Sequence, residues 1–190
     1  LSHPNIEAAF DAEEFSGVHF FVMEYIEGES LASYGKQQGP LLIKDALECL
    51  RQVCLGLEVA HRQGMVHRDI KPHNLMVSRG DQRQLHVTIL DFGIASLGDD
   101  RGCTATVSPN SGLTQTGRSV GTPEYISPEQ AMGTSSIDCR ADIDSLGATL
   151  HFLLLGRPLF FGTSEELLKS TSKPHLRSAM PCPIIQSLHR

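Results

Sequence analysis

The chain has 190 residues, with 16 Lys and Arg against 22 Asp and Glu and a formal net charge of -6. Hydrophobic residues make up 40% and charged residues 20%, enough for one buried core and one domain, with at most a fragment of a second. The acidic balance argues against nucleic acid or an anionic membrane surface as primary partner, and no apolar run approaches the roughly 20 residues of a spanning helix.

The first residue is Leu1, not Met, so the N-terminus is read as missing and the lack of a targeting signal carries little weight. The five cysteines, Cys49, Cys54, Cys103, Cys139 and Cys182, show neither a CxxC pair nor Cys/His metal spacing. They read as free thiols in a reducing cytoplasm.

In chain order, Val18 to Tyr25 is rich in β-branched and aromatic residues and reads as a strand, with Ile6 to Glu13 as its antiparallel neighbour across a loop near Glu14 to Gly17. Ser30 to Gln37 is a short helix broken by Gly39-Pro40. From Leu42 to Arg62, apolar residues recur at helical spacing (Ile43, Leu47, Leu50, Cys54, Leu57, Ala60), which predicts a long one-sided helix ended by Gly64. The runs Asn74 to Val77 and Val87 to Leu90 predict a hairpin. Residues 95–120 are crowded with Gly, Ser, Thr, Asp and Asn and read as a long loop, of a length that is usually functional or disordered. Ile143 to Leu155, apolar all round, predicts a buried helix. Further helix starts fall at Ser164 to Ser170 and Pro183 to Leu188.

The chemistry concentrates in His67-Arg68-Asp69-Ile70-Lys71-Pro72-His73-Asn74. Phosphoryl transfer needs a carboxylate to orient the attacking hydroxyl, a cation near the moving phosphate and hard oxygen ligands for Mg²⁺. Asp69, Lys71 and Asn74 are of those three kinds. Asp91-Phe92-Gly93 adds a second ligand: strands about 4.8 Å apart bring the start of the first run beside the end of the second, so Asn74 and Asp91 could share one ion.

The HRDxKPxN run, the DFG run and Gly121-Thr-Pro-Glu-Tyr-Ile-Ser-Pro-Glu129 resemble, in order and spacing, the protein kinases of serine/threonine type, over nearly the whole chain. The wording of GTPEYISPEQA and SLGATLHFLLLGRPLF is closer to bacterial Hanks-type kinases, which often carry a sensor domain elsewhere. The resemblance implies a kinase-like α+β fold. Residues 1–26 would be a remnant of the β-rich N-lobe and the hinge; residues 27–190 would be a mainly helical C-lobe, truncated at its C-terminal end.

It also implies roles. Asp69 would be the catalytic carboxylate, Lys71 would contact the transferred phosphate, and Asn74 and Asp91 would hold Mg²⁺. ATP would lie against Met23 as gatekeeper, the backbone of Glu24 and Ile26, and Met76 as the adenine floor. Thr122 would sit against Asp69 and Lys71 in the substrate groove. His67 and Phe92 would pack in the internal spine. Asp142 resembles the aspartate that ties the buried helix to the catalytic loop, and an Asp ahead of an apolar helix is also an N-cap. Arg68 suggests control by phosphorylation of the loop, with Thr114, Thr116 and Ser119 as acceptors.

The glycine-rich loop, the strand Lys and the helix Glu of the family would lie before Leu1, and the late Arg that pairs with Glu129 would lie beyond Arg190. A buried Glu129 without that cation would cost stability. Asp144 stands where the family usually has an aromatic. The leftover strands would expose an unpaired edge. The expected partners are protein substrates with Ser or Thr hydroxyls. The expected place is the cytoplasm, with any membrane tether in the parent protein. The isolated fragment is expected to be inactive, and a non-catalytic pseudokinase scaffold is the alternative. In the full-length protein, Asp69→Asn should abolish transfer while sparing ATP binding; unchanged turnover would remove the role assigned to Asp69.

Overall fold

A computed structural model describes residues 1–16, 18–79, 84–92, 124–134 and 137–160. Two strands, β1 (Ala9–Phe15) and β2 (Val18–Met23), pair antiparallel from Ala9 opposite Met23 to Phe15 opposite Val18. The first strand thus starts later than the sequence suggests and runs to the turn itself, where Ser16 adopts a left-handed φ of 52°. This ribbon exposes Phe10, Phe15, Val18, Phe20 and Val22, as expected of strands without further neighbours among the described residues.

A three-stranded sheet forms the second unit, ordered β3 (Glu29–Ser30), β4 (Leu75–Arg79), β5 (Leu85–Ile89). The β4–β5 pair is the expected hairpin, with Leu75 opposite Ile89. The short β3 was not legible in advance. It reaches β4 because Gly28, at φ 152°, lies so close that a Cβ there would meet the Val77 carbonyl oxygen at 2.4 Å. Helix α1 (Leu31–Gln38) follows at once, capped by the Ser30 hydroxyl, which accepts from the Ser33 amide at 3.2 Å.

Helix α2 (Ile43–Arg62) packs on β5 and on α4 (Arg140–Leu155). Its buried face differs from the stripe expected from apolar spacing. Ala46, Cys49, Val53, Leu57 and Ala60 face inward, whereas Ile43 and Leu47 are 50% and 42% exposed and Cys54 is exposed. Close approach to β5 decides this. At Gly56 a Cβ would come within 2.9 Å of Ile89 Cδ1, so the packed side runs through the small residues Ala46, Gly56 and Ala60 together with Val53 and Leu57. Burial first, then the charges of Asp45 and Glu48, push the Cys49 thiol up to about 11, so it is core and not nucleophile. Helix α4 begins three residues before the expected Ile143, and Ile143 and Leu155 are exposed. It buries one face rather than all of its circumference.

Residues 5–7 run beside β5. The Ile89 amide donates to the Asn5 carbonyl and the Glu7 amide to the Ile89 carbonyl, both at 2.9 Å. Beneath them lies a buried polar cluster. Gln52 Oε1 accepts from the Val87 amide (2.8 Å) and Asn5 Nδ2 (3.2 Å), while Gln52 Nε2 donates to the Leu85 carbonyl (2.9 Å). Asn5 Nδ2 also reaches the Val87 carbonyl at 2.7 Å. One α2 side chain therefore ties the N-terminal segment to the hairpin that carries Asn74 and Asp91. Gln52→Leu keeps the volume and orphans the Val87 amide; the expected loss is ~2 kcal/mol of unfolding free energy, read from a urea denaturation midpoint.

Candidate active site

The loop between α2 and β4 is held from below by Asp142, in the first turn of α4 and fully buried. Its Oδ2 accepts from the His67 amide at 2.9 Å and lies 2.7 Å from His61 Nε2, and its Oδ1 accepts from the Arg68 amide at 2.8 Å. The N-cap expectation for Asp142 is corrected here. Cys139 occupies the cap position, and the carboxylate reaches across to the loop instead. A carboxylate that takes two backbone amides and an imidazole can stay buried because its acceptor capacity is filled.

This grip fixes an unusual backbone. Arg68 has φ 67°, a left-handed conformation that costs a non-glycine residue of order 1 kcal/mol, offset by the charge-assisted bond to its amide. A second support comes from the SPEQ segment. Ser127 and Gln130 form a capping box at α3 (Pro128–Ala131), and Gln130 Nε2 donates to the Arg68 carbonyl at 2.7 Å. Sequence reasoning passed over Gln130, although Ser-x-x-Gln is a legible box. Glu129, expected to be buried, is half-buried. Arg140, whose guanidinium is held first by Asp138, also senses the Glu129 charge.

The loop then turns Asp69, Lys71 and Asn74 together. Lys71 Nζ meets Asp69 Oδ2 at 2.7 Å. Asn74 Nδ2 donates to the same oxygen at 3.0 Å and to the Asp69 carbonyl at 2.8 Å. Both partners converge on the one oxygen, Oδ2. The Asp69 amide donates to His67 Nδ1 at 3.2 Å, so Nε2 carries the imidazole proton and donates to the Leu90 carbonyl at 2.9 Å. His67, buried, meets Phe92 edge-on at 4.8 Å, the packing expected of the two.

Asn74 closes a 3₁₀ turn over Pro72–Asn74, and its carbonyl accepts from the Leu90 amide at 2.9 Å. Asp91 follows directly, with φ 58°. The hairpin thus brings the two expected metal ligands to adjacent strand ends. The residue types fit Mg²⁺: Asp69 takes up the Asn74 amide nitrogen, which leaves Asn74 Oδ1 as a hard oxygen donor, and the Asp91 carboxylate would be a second. Glu7, not singled out in the sequence, adds an unexpected carboxylate. Its Oε2 accepts from the Asp91 amide at 3.3 Å. Burial raises the Glu7 carboxyl above the usual range, the Asp91 amide opposes this, and the Asp91 and Glu24 charges add to the rise.

At the expected hinge, the Glu24 amide donates to the Ala8 carbonyl at 2.8 Å. Met23 and Ile26 are half-buried, and so is Met76, opposite Ser30 and Thr88 on β4. Thr114, Thr116, Ser119 and Thr122 lie outside the described residues, as do Gly93, all of the long loop and the helix starts expected at Ser164 and Pro183. A surface cavity of about 400 Å³, lined by Cys54, Leu57, His61 and Ile143, lies on the α2–α4 side and not at Asp69. No described helix is long and apolar enough to cross a membrane.

The profile of the protein kinase domain matches residues 1–186, and the chain belongs to the protein kinase family. It is 38% identical over 181 residues to the serine/threonine-protein kinase PknB of Mycobacterium leprae, covering 93% of this chain and 26% of that protein. It is 40% identical to a probable serine/threonine-protein kinase of Streptomyces coelicolor, covering 97% and 26%, and 36% identical to PrkC of Bacillus subtilis, covering 95% and 25%. The chain therefore spans about a quarter of the length of these relatives. Among solved structures, it resembles Rad53 residues 1–466 in complex with AMP-PNP, with a TM-score of 0.68 and 27% identity over 91% of this chain and 40% of that one.

Asp142→Asn replaces one carboxylate oxygen by a donor that faces other donors. The expected loss is ~2 kcal/mol, with Asp142→Ala losing more, measured by chemical denaturation. Equal stability of wild type and Asp142→Ala would refute the anchoring role.

Proposed function

We propose that the protein carrying this chain transfers the γ-phosphoryl group of ATP to Ser or Thr hydroxyls of protein substrates. The observation that carries this reading is the joined cluster of Asp69, Lys71 and Asn74 beside Asp91. Asp69 Oδ1 accepts a hydrogen bond from the substrate hydroxyl, which orients the hydroxyl oxygen's lone pair toward the γ-phosphorus; as the new O–P bond forms and the bond to the leaving ADP breaks, the hydroxyl proton passes to Asp69. Lys71, paired to Oδ2, holds Asp69 in place and presents a positive charge to the transferred phosphate. Asn74 and Asp91 hold Mg²⁺, which when bound neutralises charge on the phosphates. The Glu24 carbonyl and the Ile26 backbone take the adenine edge, with Met23 and Met76 lining its faces.

In this reading residues 1–26 are small-lobe strands and hinge, and the large lobe follows from residue 27. Arg68 is the receiver of a phosphate on Thr114, Thr116 or Ser119, and Thr122 steadies the Asp69–Lys71 pair in the groove. The free thiols at Cys49, Cys54 and Cys139 suit the cytoplasm. Relatives named as serine/threonine-protein kinases support the hydroxyl-bearing substrate class.

The test is transfer of radiolabelled γ-phosphate from ATP to a Ser/Thr substrate protein by the full-length protein. Asp91→Ala is expected to lower kcat at least ~100-fold through loss of a metal ligand. Nucleotide binding by wild type without any transfer would instead favour the scaffold reading.

A further inference from the structure

Two non-glycine residues of the site stand in left-handed backbone, Arg68 at φ 67° and Asp91 at φ 58°. Each has its amide taken by a carboxylate from a distant segment. For Arg68 the partner is Asp142, at 2.8 Å. For Asp91 it is Glu7, at 3.3 Å. Glu7 is itself well placed for this. Its amide donates to the Ile89 carbonyl, two residues before Asp91, and Ile6 bridges Ile89 in parallel. Glu24, just after β2, donates its amide to the Ala8 carbonyl on the other side. The strand segment carrying Glu7 is thus fixed on both flanks, and the carboxylate is half-buried over the start of the DFG run.

A carboxylate at this position carries an electrostatic cost, because Asp91 and Glu24 are like charges nearby. The compensating contact is the Asp91 amide. We propose that Glu7 is a positioning residue: by accepting the Asp91 amide it holds the Asp91 backbone in the left-handed turn that presents the carboxylate to Mg²⁺ beside Asn74. This rests on the kinase reading for the ion, but the backbone contact does not. An outer-sphere support of this kind commonly changes metal affinity by roughly 10–100-fold when removed.

The experiment compares wild type, Glu7→Gln and Glu7→Val in the full-length protein. Gln keeps an oxygen that accepts the amide; Val keeps bulk and removes the acceptor. Binding of Mn²⁺ in the presence of a non-hydrolysable ATP analogue is read by electron paramagnetic resonance. Deuterium exchange of the peptide spanning Asp91 is read without nucleotide. Glu7→Gln is expected to stay within about twofold of wild type, and Glu7→Val to bind Mn²⁺ roughly tenfold more weakly and to exchange faster at Asp91. If Glu7→Val does not fold, Glu7→Thr, too short to reach, replaces it. Wild-type metal affinity and exchange in the acceptor-free variant would overturn the proposal, as would an equal loss in Glu7→Gln. Absence of any Mn²⁺–nucleotide binding in wild type would count against the kinase reading, and the exchange measurement would then decide the positioning role by itself.

Discussion

The buried Asp142 carboxylate is the contact on which the site depends. It comes from α4, yet most of its acceptor capacity is used by the loop between α2 and β4, through the His67 and Arg68 amides, with His61 of α2 as third donor. Without it, two amides would be orphaned in a dry interior and the left-handed turn at Arg68 would lose its compensation. That turn is what brings Asp69 round to meet Lys71 and Asn74.

The site is built on rigid elements joined by short polar contacts. Asp142 fixes the beginning of the loop between α2 and β4, and Gln130 supports Arg68 from the SPEQ turn. His67 connects the loop to the Leu90 carbonyl, one residue before Asp91. The hairpin closes the circuit, because the Leu90 amide returns to the Asn74 carbonyl. Such a closed set of bonds limits how far the expected base and metal ligands can drift apart, and phosphoryl transfer depends chiefly on position and charge.

The N-terminal segment enters the same circuit. Asn5 and Gln52 seat it on β5, and Glu7 extends it to the Asp91 amide. The β1–β2 ribbon is different: its Phe10 and Phe15 stand in solvent.

Much of this was legible in the sequence. The HRDxKPxN and DFG runs point to a candidate site because the chemistry tolerates few residue types; α2 follows from apolar periodicity, and α4 and the hairpin from apolar runs of helix and strand length. Tertiary structure alone decided which face of α2 is buried, since the close approach of Ile89 to Gly56 outweighs the size of Ile43 and Leu47. It alone moved the cap position of α4 from Asp142 to Cys139, leaving Asp142 only the tie to the loop that the resemblance implied, and set Glu7 against Asp91. Local sequence encodes which groups can donate and accept, whereas contacts such as Asp142 to His67, 75 residues apart, exist only once packing has brought the segments together.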